Sequence, residues 1–159
     1  MAICRCNYKN NMIYLGTDHR GFKAKEEIKK YLKKLGEPFE DLGNKVFDPN
    51  DDYPDFTEKV AEKISKNPKD RGILFCGSGI GITIFANKFK GVRAGLCFNE
   101  KMAQLSRSHN DANILCISTD FLALAKIKRI VKIWLRTEFS KKERHKRRLA
   151  KIKKYERKN

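Results

Sequence analysis

The sequence predicts an α/β fold built on a five-stranded parallel sheet with helices on both faces. Three observations lead there. Apolar strand-like runs and amphipathic helical stretches alternate five times along 159 residues. The connections between strands are too long for hairpins, so successive strands run parallel. Runs such as "GILFC" are apolar throughout, as strands are when both faces are covered. A chain of this length makes one domain with a proper core.

The elements follow in order. Residues 1–11 are polar and read as an N-terminal extension, and residues 12–159 as a single domain. "MIYLG" (12–16) is the first buried strand. In "GFKAKEEIKKYLKKLG" (21–36), Phe22, Ile28, Leu32 and Leu35 recur at helical spacing and Gly36 ends the helix. "PFEDLG" (38–43) is a short strand and "NKVFDPNDDYP" (44–54) a turn-rich loop. Phe56, Val60 and Ile64 share one face of a second helix over 55–67. "GILFC" (72–76) is the third strand, and a helix over about 80–89 follows its glycine loop. "VRAGLCF" (92–98) is the fourth strand, Asn99 caps a helix over 99–109, and "ANILCIS" (112–118) is the fifth strand. A long helix over 120–139, opened by Thr119 or Asp120, precedes a basic C-terminal helix from about 141.

Composition narrows the function classes. The net charge is +17, but residues 126–159 carry +13 of it, leaving a body near balance and a basic tail. Such a tail suits nucleic acid, an anionic surface, or a solvated helix carrying a few functional arginines. No apolar stretch approaches the ~20 residues of a membrane span. The N-terminal residues lack a signal-peptide core, so an intracellular, cytoplasmic protein is expected. Cys4 and Cys6 have poor zinc spacing, and Cys97 and Cys116 lie in apolar runs as small buried hydrophobes.

Ligands of parallel sheets bind beyond the carboxyl ends of the strands. That edge carries "GTDHRG", "CGSGIG" and "STD". Glycines at 77, 79 and 81 let backbone N–H groups approach a phosphate or a developing oxyanion, and the next helix start adds partial positive charge. The spacing is G-x-G-x-G, unlike the dinucleotide fingerprint G-x-G-x-x-G. A tight strand–helix turn with an incidental cysteine is the competing explanation. Cys76, facing a helix start, is expected to have a lowered pKa and a thiolate available as base or nucleophile. Asp18 either caps the first helix, orients the neighbouring imidazole of His19, or accepts a sugar hydroxyl proton.

The segments "GTDHRGFKAKEEI", "DLG", "DYPDF", "GILFCGSGIGITIFANKFKGVRAGLC", "SRSHNDANIL" and "ERHKRRLAKI" occur in this order from residue 12 to about 152. In these the chain resembles the type B ribose-5-phosphate isomerases, whose superfamily includes galactose-6-phosphate and allose-6-phosphate isomerases. The resemblance implies a Rossmann-like three-layer α/β sandwich, no cofactor or metal, and a homodimer or homotetramer with active sites shared between subunits. It implies interconversion of ribose 5-phosphate and ribulose 5-phosphate in the pentose phosphate pathway. Cys76 would move a proton between carbon-1 and carbon-2 through an enediolate. Ser78 and the N–H groups of Gly77, Gly79 and Gly81 would stabilise the enediolate oxygen. His109 of the neighbouring subunit would open the furanose ring, Asp18 would handle ring hydroxyls, and Asn110 would contact sugar hydroxyls. His19, Arg144 and Arg148 would hold the phosphate. Arg144 and Arg148 are four apart, hence on one helix face.

Three positions depart from the pattern. Ser78 stands where threonine is usual, keeping the hydroxyl. Asp120 stands where many members have arginine. Arg20 replaces a small apolar residue and is expected to compensate in part for that missing arginine. The alternatives are a six-carbon sugar phosphate as substrate, or, from another class, a nucleic-acid-binding module built on the tail.

Overall fold

In the computed structural model, which describes residues 11–157, the five strands are β1 (Ile13–Thr17), β2 (Phe39–Asp41), β3 (Arg71–Cys76), β4 (Ala94–Leu96) and β5 (Ile114–Ser118). All pair in parallel in the order β2-β1-β3-β5-β4. The helices are α1 (Phe22–Leu35), α2 (Tyr53–Lys66), α3 (Ile80–Ala86), α4 (Glu100–Asn110), α5 (Leu124–Arg136) and α6 (Glu143–Glu156). The expected five-stranded parallel sheet is present. The proposed N-terminal extension lies almost wholly outside the described residues.

Two cores form because strand side chains alternate. Ile13, Leu15, Ile73, Phe75, Leu115 and Ile117 pack with Ile28 and Leu32 of α1 and Ile127, Ile130, Val131 and Trp134 of α5. Tyr14, Leu74, Cys76, Ile114 and Cys116 point the other way, onto Val60, Ala61 and Ile64 of α2 and Ile82 and Ala86 of α3. Within β3, Phe75 therefore serves one face and Cys76 the other. The chain leaves β1 toward α1 on one face and leaves β3 toward α3 on the opposite face. This divergence opens a crevice between two adjacent strand ends, the place where doubly wound sheets hold ligands.

Element boundaries differ from the sequence reading mainly at the ends. α1 stops with Gly36 in the left-handed region at φ 71°, its N–H accepted by Leu32 and Lys33 carbonyls. Asn99 caps α4, its side chain accepting from the Met102 N–H at 2.8 Å. The long fifth helix is shorter than expected: it is α5, capped at Ala123 rather than opened by Thr119 or Asp120. The physical reason is that Thr119 and Asp120 N–H groups are drawn to the Cys76 and Gly77 carbonyls, at 2.9 and 3.1 Å. That pairing ties the end of β5 to the loop after β3 and keeps those two residues out of the helix.

Candidate active site

The glycine loop begins where β3 ends. Its first two carbonyls are anchored away from the crevice. The Cys76 carbonyl accepts from Thr119 N–H and from its hydroxyl at 3.1 Å, and the Gly77 carbonyl accepts from Asp120 N–H and from Ser118 Oγ at 2.7 Å. With the carbonyls held, the Gly77 and Gly79 N–H groups turn toward the Cys76 sulfur. Gly79 has φ 79°, and a side chain there would meet Leu96 at 2.6 Å, so the turn requires glycine on both counts. Ser78 Oγ accepts from the Ile80 N–H at 3.2 Å, closing the start of α3. The Tyr53 ring occupies the space a side chain at Gly81 would fill.

Across the crevice, the chain after β1 makes a 3₁₀ turn, His19–Gly21, capped by Asp18. Asp18 Oδ1 accepts from Arg20 and Gly21 N–H groups at 3.0 and 3.3 Å, while Oδ2 accepts from the Cys76 thiol at 3.1 Å. Asp18 is 4% exposed, so these donors stand in for water around its charge. Asp18 thus caps the turn and accepts from the thiol. It does not orient His19. That is done by Asp51, whose Oδ1 takes the His19 backbone N–H at 2.7 Å and lies 2.8 Å from its Nδ1. The hydrogen bond that the His19 ring donates to Asp51 holds the imidazole above its usual pKa, against the effect of burial.

The expected low pKa of Cys76 is corrected. Burial foremost, then the hydrogen bond to Asp18 and its charge, push the thiol up to about 11. The Gly79 and Gly77 N–H groups pull the other way and lose. The sequence places the helix start next to the sulfur but gives no sign that a buried carboxylate lies on its other side. A check is direct. Alkylation of Cys76 by iodoacetamide, followed peptide by peptide, should accelerate about tenfold per pH unit from 7 to 9, because only the thiolate reacts. A rate that levels off below pH 8 would show a lowered pKa instead.

Arg20 pairs with Asp120, and its side chain lies across Gly77. Position 120 thus places a negative charge beside the loop, and Arg20 neutralises it. The remaining expected residues lie elsewhere in the chain. His109 and Asn110 end α4, just before β5 begins at Ile114, which pairs with Gly72 at the start of β3. They sit at the amino edge of the sheet, and the strand between that edge and Cys76 spans about 13 Å at a rise of ~3.3 Å per residue. α6 packs on the same side. The His109 and His145 rings lie 4.2 Å apart with their planes tilted by 39°, and Gly91 N–H donates to Glu156. Arg144 Nε donates to His145 Nε2 at 3.2 Å, so the neutral ring carries its proton on Nδ1 and donates to Ser140 Oγ at 2.7 Å. Burial, then His109 and the arginines Arg144 and Arg148, hold the His145 imidazole below its usual pKa. Arg144 and Arg148 are exposed. A 690 Å³ cavity between α6 and the start of β4, bordered by Asn110 and Leu149, also belongs to this edge.

Sequence reasoning gave no role to Asp51, Tyr53 or His145. The run "NDDYP" signals only a turn, and nothing in it tells which acid folds back onto His19. Among the described residues no group of three or more His, Cys, Asp or Glu is arranged to hold a metal ion.

A doubly wound parallel sheet with a buried thiol beneath aimed backbone N–H groups at its switch point defines an α/β enzyme with a Rossmann-like fold. The chain belongs to the Ribose/Galactose Isomerase family, whose model matches residues 13–152. It is 46% identical over 145 residues to the probable ribose-5-phosphate isomerase B of Mycoplasma genitalium, covering 91% of this chain and 95% of that one. It is 41% identical over 127 residues to the ribose-5-phosphate isomerase B of Escherichia coli K12, covering 80% and 85%. The crystal structure of the Mycoplasma genitalium enzyme with bound ribulose-5-phosphate superimposes with a TM-score of 0.91, at 44% identity, over 94% of this chain and 99% of that one.

Proposed function

We infer that the protein is a ribose-5-phosphate isomerase, an aldose–ketose isomerase that interconverts D-ribose 5-phosphate and D-ribulose 5-phosphate through an enediolate. The observation that carries this is the Cys76 sulfur at the mouth of the glycine loop, 3.1 Å from Asp18, in a chain of this family.

In the free chain Cys76 keeps its proton. A sugar hydroxyl donating to Asp18 Oδ2 displaces the thiol from that oxygen and removes the bond that holds the proton on sulfur. The Gly77 and Gly79 N–H groups remain to support the thiolate. The released thiol proton passes to solvent water; the thiolate then takes the carbon-2 proton of the open-chain aldose and returns it to carbon-1, while the hydroxyl proton of oxygen-2 passes to oxygen-1. Charge gathers on the enediolate oxygen, where fixed N–H donors and the Ser78 hydroxyl stabilise the transition state more than the ground state. His109 assists ring opening and Asn110 contacts the sugar hydroxyls. His19, Arg144 and Arg148 hold the phosphate, which favours forked guanidinium donors.

His109, Arg144 and Arg148 cannot serve the Cys76 of their own chain, because they occupy the other edge of the sheet. A homodimer, or a pair of dimers, with shared sites answers this. Ile80 and Ile84, more than half exposed on α3 beside the loop, provide apolar surface for the second copy. No helix among the described residues is long and apolar enough to cross a membrane. A cytoplasmic setting is part of the proposal.

A coupled assay of ribose 5-phosphate against allose 6-phosphate tests the reading. Turnover of the pentose should dominate, and loss of both activities in the wild-type protein would overturn it. Arg20→Ala should raise the Michaelis constant about three- to fivefold, because Asp120 is then left unpaired beside the anionic substrate. The double variant Arg20→Ala/Asp120→Ala should recover part of that loss. An unchanged Michaelis constant in Arg20→Ala would rule out a role for this pair.

A further inference from the structure

We propose that Asp51 is a positioning residue of the phosphate grip, holding His19 by its backbone N–H and its Nδ1 so that Nε2 is presented to the substrate phosphate. The proposal rests on the reading above that His19 contacts that phosphate.

The geometry is built from the core outward. Lys25 is fully buried and donates to Asp41 Oδ2 and to the Asn44 carbonyl, each at 2.7 Å. Gly43 N–H donates to Asp41 Oδ1 at 3.0 Å. These bonds pin the start of the loop over residues 42–52 to α1 and β2. The Asn44 side chain donates to Asp51 Oδ2 at 2.6 Å, leaving Oδ1 for His19. The Phe47 ring meets the imidazole edge-on at 6.4 Å. Two bonds to one oxygen fix both the backbone and the ring of His19. Among the described residues nothing else bonds the ring, so Nε2 is its remaining polar atom.

Charge follows from the same contact. Asp51 is 8% exposed, so its carboxylate acts on the ring with little screening. Asp51 from the loop and Asp18, which caps the 3₁₀ turn, act on the imidazole, and both favour its protonated form. Phe47, which meets the imidazole and packs edge-on against Phe22, carries no charge. A protonated His19 donates to a dianionic phosphate as a charge-assisted partner. In a chain whose position 120 is acidic, such a cation matters more.

Asp51→Asn separates charge from shape. The new amide keeps an oxygen for the two His19 contacts. Its nitrogen faces Asn44, whose Oδ1 is buried and unpartnered and can be turned to accept it. In histidine-labelled protein, the His19 titration midpoint measured by NMR should lie above the ordinary ~6.5 and fall in Asp51→Asn. The Michaelis constant for ribose 5-phosphate should rise about five- to tenfold with kcat within about twofold, and inorganic phosphate should inhibit more weakly. Asp51→Ala should lose more, and in a His19→Ala background neither change should add anything. An unmoved His19 midpoint, an unchanged Michaelis constant, or losses that add to those of His19→Ala would overturn the proposal. The NMR result stands without any assay, so inactivity of the wild-type protein on ribose 5-phosphate would sink the functional reading separately.

Discussion

Cys76→Ala is expected to lower kcat by about a thousandfold or more, the range for removing a general base from a preorganised site. The fold should survive. Cys76 is 7% exposed and packs in the α2–α3 core, but alanine vacates little volume, and Asp18 keeps its two backbone donors. A destabilisation of about 1 kcal/mol, or a few degrees in Tm, is the expected scale. The measurement is steady-state turnover beside a thermal melt and a circular dichroism spectrum. Activity within tenfold of wild type in a well-folded variant would remove Cys76 from the chemistry. The wild-type pH profile adds a second constraint. With the thiol raised to about 11, more base is present at each higher pH, so kcat/KM should climb through the alkaline range, where a low-pKa thiolate would give a plateau from neutrality.

Mixing two inactive variants should restore activity. Cys76→Ala removes the base and His109→Ala the ring-opening group, and the sheet holds these two residues at opposite edges of one chain. If each site takes Cys76 from one subunit and His109 from the other, a mixed dimer has one intact site and one doubly impaired. After unfolding and refolding together in equal amounts, about half the dimers are mixed, so about a quarter of wild-type activity should return. Each variant refolded alone should stay near background. No recovery in the mixture, with both variants shown to be dimeric, would mean that His109 does not complete the partner's site.

The strands and helices were legible because burial imposes period two and period 3.6 on the residue pattern. "GILFC" and "ANILCIS" are covered on both faces, and α1 and α2 carry clean apolar stripes. The ends were less legible because they are set by distant partners. Thr119 and Asp120 look like a helix start, yet their N–H groups are taken by carbonyls some forty residues earlier. The same limit applies to the site. Cys76, Asp18 and His19 were readable as strand-end residues, and their meeting follows from β1 and β3 being neighbours in the sheet. Asp51 was not readable, because a loop residue 32 positions from His19 announces no destination.

The sequence by itself determined the parallel sheet, the place of the glycine loop at the carboxyl end of the third strand, and the inventory of thiol, carboxylate, imidazoles and guanidinium groups. Periodicity and spacing along the chain encode these. Only the tertiary structure decided the protonation of Cys76, the orientation of His19, the Arg20–Asp120 pair, and the separation of His109 from the thiol. Each depends on which groups desolvate and face one another across the crevice. Electrostatics and burial act through space, and the linear order of residues does not record them.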